Sequence, residues 1–392
     1  MKRTKSPLFV IAIIAIVNAL GYGIIIPILY SYSHRFGLND FQNGLLFSVF
    51  SICQFIATPI IGRLSDKYGR KPLLLISLAG TVLSFLTMAW APSALFLFIA
   101  RAIDGITAGN IPVALAVISD TTEPKDRAKG FGIIGASFGF GFVFGPGISA
   151  LTFGLGSSIP FLIAAGIAAL AVILTLVLLP ETNTHRGLPH REKIFDFVHM
   201  ARALGDANVG TTLLVSLLYS FGYSLFIYAY QPLSVEILHL SATQVAINFT
   251  LFGLVGLVAQ GLIIPKTVKI FGERPMLRNS LLISVMTFVA FYFTRSLTML
   301  IGVSILHALA NGFVNPLVQA LLSKEVDMHS QGSILGLNAS YMSIGMILGP
   351  IIGGLLATVM IPLPFLLGSA VVAVCFFLSL QILRKHKAAI AV

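Results

Sequence analysis

The sequence predicts an all-α membrane protein in which twelve transmembrane helices form two parallel repeats of six. Three observations lead to this fold class: 57% of the residues are hydrophobic, only 10% are charged, and long apolar runs alternate with short charged stretches. A soluble chain of 392 residues needs far more polar surface than this composition provides. Because a bilayer core requires roughly 20 apolar residues per helix, the chain has room for about twelve spans and for no sizeable soluble domain.

Each apolar run is predicted to be a helix, because a helix satisfies its own backbone hydrogen bonds within hydrocarbon. The predicted spans of the first half are residues 8–30, 43–62, 72–91, 94–118, 129–152 and 158–180. Those of the second half are residues 208–232, 242–264, 275–293, 297–322, 331–357 and 361–383. The first run is longer than a signal-peptide core and no clear cleavage site follows it, so we interpret it as a retained helix.

The longest polar stretch divides the chain near its middle. We therefore predict an N-terminal six-helix bundle at residues 1–180, a cytoplasmic linker at 181–207 and a C-terminal six-helix bundle at 208–392. Between Arg191 and Leu204 the apolar residues share one helical face, which is typical of a short helix lying along the membrane surface. A plain linker is the equal alternative.

The basic residues that give the chain its net charge of +11 are distributed along the sequence as expected for a membrane protein. If the first span leaves the cytoplasm, almost all Lys and Arg outside the spans fall in cytoplasmic loops or termini. This positive-inside bias predicts that both termini are cytoplasmic and that the protein lies in a cell membrane of the bacterial inner or plasma type. The lipid bilayer, and no nucleic acid, is the partner that this charge predicts.

Other classes of site are not expected. Cys53 and Cys375 both fall within predicted spans, so we expect no disulfide framework. The sequence has no metal-ligand cluster, no catalytic triad and no nucleotide-binding signature, since its glycine-rich stretches lie inside apolar helices. No cofactor and no enzymatic activity are therefore predicted.

The two halves of the chain resemble each other. Three ungapped segment pairs are separated by nearly the same distance along the sequence: 60–74 with 263–277, 110–119 with 314–323, and 144–148 with 348–352. Because six is an even number, a repeat of six spans keeps its orientation in the membrane. Parallel six-helix halves are a known transporter architecture, with the substrate site near the midplane between repeats.

The loop between the second and third spans reads GRLSDKYGRK at residues 62–71. It matches the signature G-x-x-x-D-[RK]-x-G-[RK]-[RK] of the major facilitator superfamily, which the whole chain resembles. Glycines there allow a tight turn and a close helix approach, and Asp66 can lie at a neighbouring helix N-terminus or pair with a basic group. A merely basic loop is the alternative. The predicted gating residues of this loop are Gly62, Asp66, Lys67, Gly69, Arg70 and Lys71.

Further motifs resemble the drug/proton antiporter branch of this family, which includes the tetracycline exporters. The fifth and eleventh spans resemble the branch's antiporter motif, G-x-x-x-G-P-x-x-G-[GA]. The copy in the eleventh span is complete, whereas in the fifth span Ser149 and Ala150 stand where glycine would be first expected. Such glycines allow close helix packing and the proline bends the span, so two copies favour a moving interface over packing alone. The residues concerned are Gly141, Gly145, Pro146, Gly345, Gly349 and Pro350. Residues 179–182, LPET, also resemble this branch.

Arg101 and Asp104 are predicted to lie deep in the fourth span, one helical turn apart. Arg101 and Gly105 match the R-x-x-x-G signature of this helix in the family. A lone charge at the membrane centre costs about 2.5–3.5 kcal/mol on insertion scales, so charged residues there usually serve an ion or substrate pathway. Burial and the arginine act in opposite directions on the protonation of Asp104, which a proton-coupling site requires. A static ion pair is the alternative.

One departure from the resemblance concerns the first span. Residues 21–27, GYGIIIP, also resemble the branch, and several drug/proton antiporters carry an acid three residues before the first glycine of this motif, where this chain has Asn18. Asparagine cannot exchange a proton, so coupling is expected to fall to Asp104 or to His307. His307 forms a polar stripe in the tenth span with Asn311 and Asn315, and histidine titrates in a range suited to proton relay. A satisfied interior histidine is the alternative.

In this family, helices 1, 4, 7 and 10 line the substrate cavity. Polar and aromatic side chains on these helices suit amphipathic ligands, although any one of them can serve packing alone. The candidate substrate-binding residues are Asn18, Tyr22, Asn110, Tyr219, Tyr223, Tyr228, Gln231 and Asn311.

The resemblance implies proton-coupled efflux of small, drug-like amphipathic compounds by alternating access. The partners would then be a small-molecule substrate and protons, and a monomer is possible because one chain contains both repeats. Two other functions remain open: an exporter or uniporter of one metabolite, such as a sugar, siderophore or lipid precursor, and a transport-dead membrane sensor or assembly protein.

Overall fold

The structure is a computed structural model, and it describes residues 6–123, 127–183, 197–327 and 330–390. Within these ranges the regular structure is entirely helical. The helices of the first half are α1 (Ser6–Ile25), α2 (Leu29–His34), α3 (Asp40–Tyr68), α4 (Arg70–Ala89), α5 (Ala94–Thr107), α6 (Asn110–Thr121), α7 (Arg127–Thr152) and α8 (Ile159–Leu178). The helices that follow are α9 (Phe197–Leu204), α10 (Gly210–Pro232), α11 (Ala242–Val258), α12 (Ile264–Phe271), α13 (Glu273–Tyr292), α14 (Leu297–Lys324), α15 (Gln331–Ala357) and α16 (Leu363–Ile390).

In the described part of the chain, 12 helical segments are long and apolar enough to cross a membrane. The predicted all-α class with twelve spans is therefore confirmed. Most predicted boundaries agree to within a few residues, but three predicted spans differ from the structure in ways that have a physical cause.

The first of these differences concerns the span predicted at 8–30. Helix α1 ends at Ile25, and a turn leads to the separate short helix α2. Pro27 lies in that turn. Because proline has no N–H and its ring clashes with the preceding helical turn, the helix cannot continue unchanged through this residue.

The fourth span is also interrupted. The span predicted at 94–118 is present at Ala94–Thr121, but its helix is not continuous, since α5 ends at Thr107 and α6 begins at Asn110. Pro112 is the third residue of α6, so it removes the hydrogen bond that the carbonyl of Ala108 would receive in a continuous helix. The span is therefore broken one turn after Asp104, beside the charged pair.

The eighth span is longer than the predicted 242–264. Helix α11 is followed by a wide π-type turn at Ala259–Ile263 and then by α12, which ends at Phe271. Pro265 lies at the start of α12 and again removes one helical hydrogen bond, which accounts for the local widening.

The chain divides into two compact units. Unit 1 contains Met1–Leu38, Val49–Phe195 and Ser241–Thr250, and unit 2 contains Asn39–Ser48, Asp196–Leu240 and Leu251–Val392. In each unit, one pair of helices packs most extensively: α1 with α7 in unit 1, and α10 with α15 in unit 2.

The predicted linker contains one described helix. Helix α9 covers the last part of the segment for which an amphipathic helix was predicted, and the hydroxyl of Tyr341 donates a hydrogen bond to the carbonyl of Met200 within α9. The beginning of that segment, residues 191–196, lies outside the described residues. The position of α9 on a membrane surface stays a prediction, as does the division into two six-helix bundles.

Candidate functional site

The signature loop of unit 1 is the sharp turn between α3 and α4. Gly69 has φ 110° and ψ 157°, a conformation that L side chains rarely adopt. A Cβ at this position would also overlap the carboxylate of Glu181. A Cβ at Gly62 would meet no described atom within 4 Å, and its predicted gating role stays a prediction. The predicted tight turn therefore belongs to Gly69, and among the described residues no helix closely approaches Gly62.

The Arg70 side chain contacts two residues of the loop and one residue of α6. Its guanidinium forms an ion pair with Asp66, one turn earlier, and another with Asp120 at the end of α6, where Nε lies 3.2 Å from Oδ2. It also donates to the hydroxyl of Ser65 at 2.7 Å. The Lys71 ammonium donates to the Leu176 carbonyl, near the end of α8, at 2.7 Å. Arg70 and Lys71 thus connect the loop to α6 and α8.

Glu181 supplies the negative charge at the start of α4. Its Oε1 accepts from the N–H of Arg70 at 2.8 Å, and its Oε2 accepts from the N–H of Lys71 at 3.2 Å. The first N–H groups of a helix have no intrahelical acceptor, and an anion is favoured there. The sequence offered two roles for Asp66, at a helix N-terminus or paired with a basic group, and Asp66 pairs with Arg70. The acid at the start of α4 is instead Glu181, which the sequence analysis did not identify. The only signal for it was the LPET stretch.

The equivalent turn in unit 2 lies between α12 and α13. Gly272 has φ 82° and ψ 162°, so the glycine-specific conformation is repeated. Glu273 follows it as the first residue of α13, and its carboxylate accepts from the Lys324 ammonium at the end of α14 at 2.7 Å. The neighbouring Glu325 accepts from the Thr212 hydroxyl at 2.9 Å.

The glycines of the antiporter motif lie at the closest helix contacts within each unit. In unit 1, Cβ atoms at Gly141 and Gly145 of α7 would overlap the backbone of α1 at Ala19 and Gly23. In unit 2, Cβ atoms at Gly345 and Gly349 of α15 would overlap α10. Pro146 and Pro350 both lie inside their helices. The close packing expected of both glycine motifs is present, and motion at these interfaces stays a prediction.

Arg101 and Asp104 lie on the same side of α5 and are both buried, with relative exposures of 3% and 8%. The guanidinium Nη1 lies 3.6 Å from Oδ2 of Asp104. The other carboxylate oxygen accepts a hydrogen bond of 3.4 Å from the hydroxyl of Thr81 on α4. The guanidinium also lies over the ring of Phe50, 4.4 Å from its centroid. The acid therefore has one charged and one neutral partner.

The predicted polar residues of the first and fourth spans have partners within unit 1. The side-chain amide of Asn110, at the start of α6, donates to Oδ1 of Asn18 on α1 at 2.8 Å. Tyr22 lies one turn after Asn18, and its ring contacts Phe50 and Phe142 at centroid distances of 6.3 and 5.9 Å. Phe50 thus lies between Tyr22 and Arg101.

In unit 2, the predicted polar residues have separate partners. The Tyr219 hydroxyl donates to Oδ1 of Asn311 at 2.9 Å, whereas the Tyr228 hydroxyl donates to the Asp40 carbonyl at 2.6 Å. Gln231 is buried at 1% exposure, and Tyr223 packs against Phe226. His307 is fully buried, and its Nδ1 lies 2.8 Å from the Thr287 hydroxyl. Two residues of the predicted polar stripe, His307 and Asn311, therefore have different partners: Thr287 and Tyr219.

Among the residues that the structure describes, no group of three or more His, Cys, Asp or Glu side chains is placed to hold a metal ion. Within unit 1, the candidate site thus consists of a buried charged pair, hydrogen-bonded amides and aromatic rings. Such groups can exchange a proton and hold an organic molecule.

Two stretches of the chain, residues 11–211 and 212–390, match the profile of the Major Facilitator Superfamily. Together they cover nearly the whole sequence. The chain belongs to this superfamily. Each stretch contains six of the membrane-spanning segments, as expected for its two repeats.

Relatives within the superfamily agree with the resemblance found in the motifs. The chain is 29% identical over 359 residues, 89% of each sequence, to the class C tetracycline resistance protein of Escherichia coli. It is 29% identical over 384 residues, 95% of each sequence, to multidrug resistance protein 2 of Bacillus subtilis.

The fold resembles the crystal structure of the human organic anion transporter MFSD10, with a TM-score of 0.73 at 23% identity. The match covers 96% of this chain and 99% of that one. This likeness shows the fold alone. Taken together, the comparisons identify a multi-pass secondary transporter of the major facilitator superfamily, a family whose members move small-molecule substrates.

Proposed function

We propose that this chain is a proton-coupled exporter of small amphipathic compounds and that Asp104 carries the proton. The observation that carries the proposal is the buried pair of Arg101 and Asp104 on α5, with 3.6 Å between the charged atoms. Ionisable groups inside a membrane span are expensive and usually line an ion or substrate pathway. The relatives named for tetracycline and multidrug resistance support a drug-like substrate.

The partners of Asp104 provide a mechanism for coupling. In the ionised form, the carboxylate is stabilised by Arg101 and by the Thr81 hydroxyl. Protonation removes the attraction to Arg101, whose Nε is buried and has no acceptor within the described ranges. The unpaired arginine then favours any arrangement that supplies another acceptor. The protonation state of Asp104 can thus shift the balance between two conformations.

The break between α5 and α6 can link the protonation of Asp104 to a change in the bend of the fourth span. Ala108 and Gly109 separate the helix that carries Asp104 from the helix that carries Asn110. A span interrupted by a proline can change its bend without breaking further helical hydrogen bonds. We infer that the bend at this point transmits the state of Asp104 to the hydrogen bond between Asn110 and Asn18.

The remaining predicted residues are assigned roles in gating and substrate binding from their resemblance to the family. The loop at residues 62–71 and the two glycine motifs would control the change between conformations. The substrate would be held by Asn18, Tyr22, Asn110, Tyr219, Tyr223, Tyr228, Gln231 and Asn311. We further propose a bacterial inner-membrane location, cytoplasmic termini and a functional monomer, following the positive-inside bias and the presence of both repeats in one chain.

The test is transport into everted membrane vesicles with an imposed pH gradient, using tetracycline and ethidium as probes. We expect Asp104→Asn to lose gradient-driven accumulation by at least about tenfold, because an amide cannot exchange a proton. Glu123→Gln, at an exposed acid just after the end of the fourth span, is the matched control and should keep driven accumulation. Exchange of labelled for unlabelled probe without a gradient should survive in Asp104→Asn, which shows that the variant is folded. Full gradient-driven accumulation in Asp104→Asn would refute the proposal.

A second candidate is an exporter or uniporter of one neutral, hydrogen-bonding metabolite. Asn18 and Asn110 favour it, because neither can exchange a proton and the Oδ1 of Asn110 is a buried acceptor without a hydrogen bond in the described part of the chain. Such a protein would equilibrate its substrate across proteoliposomes at the same rate with and without a pH gradient. Uphill accumulation driven by the gradient would exclude the uniporter.

A further inference from the structure

Three buried hydroxyl groups line the face of α4 that packs against α5. Ser77, Thr81 and Ser84 are separated by four and three residues, so they share one face of the helix. Each is at most 4% exposed, and each donates a hydrogen bond to a group on α5. We call this row of three residues the hydroxyl seam.

The two outer hydroxyls of the seam bind the backbone of α5. Ser77 donates to the carbonyl of Thr107, and Ser84 donates to the carbonyl of Ala100 at 2.8 Å. Between them, a Cβ at Gly80 would overlap the Thr107 side chain, so the two helices are in close contact. A peptide carbonyl is a neutral acceptor at any pH. These contacts therefore hold α4 and α5 in the same register whether the acid between them is ionised or protonated.

The middle hydroxyl of the seam binds that acid. Thr81 donates to Oδ1 of Asp104 at 3.4 Å, whereas Arg101 lies nearer to Oδ2. A threonine in a helix often donates to the carbonyl one turn back, as Thr87 of the same helix does to Leu83 at 2.7 Å. Thr81 instead donates across to α5. A hydroxyl donor binds an ionised carboxylate more strongly than a protonated one.

Three titratable or charged side chains surround this acid. Arg101 lies on the same helix as Asp104. Tyr22 of α1 lies within electrostatic range of Arg101, and Cys53 of α3 contacts Gly105, where a Cβ would lie 2.6 Å from the Cβ of the cysteine. Tyrosine and cysteine are ordinarily neutral at pH 7. Of these three side chains, the arginine is therefore the charged one, and the hydroxyl from α4 is a neutral donor beside it.

The break in the fourth span lies beyond the seam, between α5 and α6. A change of bend at Ala108 and Gly109 would move α6 and leave the hydrogen bonds between α4 and α5 in place. Thr81 is therefore a fixed neighbour of Asp104. Arg101 has a longer and more flexible side chain, so it is the neighbour that can change.

We propose that Thr81 is the positioning residue of the proton-coupling acid: its hydroxyl holds the Asp104 carboxylate in place and sets the pH range over which that acid exchanges its proton. The inference rests on the proposed function, since it concerns the same acid. It predicts that removal of this one hydroxyl makes Asp104 take up its proton at higher pH, because the ionised form loses a hydrogen bond.

The test is a pH titration of the purified full-length protein in lipid bilayers, followed by infrared difference spectroscopy. The carbonyl band of protonated Asp104 is identified by its loss in Asp104→Asn. We expect Thr81→Val, which keeps the shape of the side chain, to raise the pH of half-protonation by about one unit. This is the low end of what a hydrogen bond to a charged group allows, because the bond is long. Thr81→Ala, which also lacks the hydroxyl, should shift the titration in the same direction.

Two further variants separate positioning from a general effect on the helix. Thr81→Ser keeps the hydroxyl and should titrate like the wild type. Thr87→Val makes the same chemical change on α4, but its hydroxyl binds its own helix, so this control should leave the titration unchanged. Ser77→Ala combined with Ser84→Ala removes both outer bonds of the seam and should shift the titration as Thr81→Val does, by a smaller amount.

An unchanged titration in Thr81→Val, an equal shift in Thr87→Val, or no rescue by Thr81→Ser would each overturn the positioning role. The titration needs no transport, so the two proposals can fail separately. If Thr81→Val shifts the titration while Asp104→Asn retains gradient-driven accumulation, Thr81 positions the acid and the coupling proposal fails. If Asp104→Asn loses accumulation and Thr81→Val titrates like the wild type, the reverse holds. A carboxylate that stays ionised at every pH in all variants would overturn both.

Discussion

The turn between α3 and α4 in unit 1 and the turn between α12 and α13 in unit 2 occupy the same position in the two repeats, but their ion pairs have opposite polarity. In unit 1, Arg70 begins α4 and pairs with Asp120 at the end of α6. In unit 2, Glu273 begins α13 and pairs with Lys324 at the end of α14. The aligned repeat segments place Glu273 opposite Arg70 and Lys324 opposite Asp120. Both signs have been exchanged, and the pairing has been kept.

This exchange indicates that each repeat requires an ion pair between the start of its third span and the end of its fourth span. Either order of the two charges meets that requirement. The electrostatics of the helix N-terminus nevertheless favours an acid in the first turn. Glu273 meets that preference directly. Helix α4 begins instead with two basic residues, Arg70 and Lys71, and it is Glu181, from the segment after α8, that supplies the carboxylate.

The two turns therefore differ in how firmly they are connected to their surroundings. The Arg70 side chain is 12% exposed and bonded to several groups, whereas the Lys324 side chain is 64% exposed. An exposed ion pair contributes little because water and salt screen it, and a half-buried network contributes more. We expect substitutions in unit 1 to have larger effects than the equivalent ones in unit 2.

The largest difference should appear at the two turn glycines. Both have a positive φ, so an alanine at either position introduces backbone strain of about 1–3 kcal/mol. At Gly69 the new Cβ would also displace the Glu181 carboxylate, whereas at Gly272 the nearest atom, Cδ of Pro275, is 3.9 Å away. We expect Gly69→Ala to lower the thermal unfolding temperature in detergent clearly more than Gly272→Ala. Equal losses would mean that only the backbone conformation matters.

The next effect concerns the acid at each helix start. Glu181→Ala removes the acceptor of two N–H groups and should destabilise the protein by about 1–2 kcal/mol. Glu273→Ala removes one exposed ion pair and a favourable dipole interaction, worth together about 1 kcal/mol or less. Hydrogen–deuterium exchange should show faster exchange at the first amides of α4 in Glu181→Ala. The first amides of α13 should change little in Glu273→Ala, and a larger change there would contradict the comparison.

The sequence alone predicted the parts of this fold that depend on composition and local pattern. The spans follow from apolar length, and the glycines at 69, 141, 145, 345 and 349 follow from motifs whose geometry only glycine permits. The breaks near Pro27 and Pro112 had a local signal, but a proline does not reveal from sequence whether a span bends or stops.

The contacts that define the candidate site could not be predicted in the same way. Asp120 and Glu181 meet Arg70 across 50 and 111 residues of sequence, and no periodicity links positions so far apart. The aromatic rings that contact His307 come from α10, α11 and α13. A helical stripe on α14 alone does not reveal how these three helices pack around it. The Arg101 and Asp104 pair was predictable because its members lie one turn apart on one helix.

The smallest effect, and the sharpest test of the exchanged polarity, is a double-mutant cycle in each unit. In unit 2, Glu273→Lys and Lys324→Glu should each destabilise slightly, and the double variant should recover nearly all of the loss, with a coupling energy of about 0.2–0.5 kcal/mol. In unit 1, Arg70→Glu with Asp120→Lys restores the pair with Asp120 but leaves the new Glu beside Asp66.

The double variant in unit 1 should therefore recover only part of the lost stability until Asp66→Lys is added. The triple variant has the charges of unit 2, because Lys269 aligns with Asp66. Unfolding temperatures at low and high salt provide the measurement, because screening should reduce the coupling in both units and reduce it more for the exposed pair. Full recovery by the double variant alone would mean that Asp66 contributes nothing to holding Arg70. No recovery even in the triple variant would mean that the sign in unit 1 is fixed by Glu181, whose carboxylate would then lie beside a glutamate in place of Arg70.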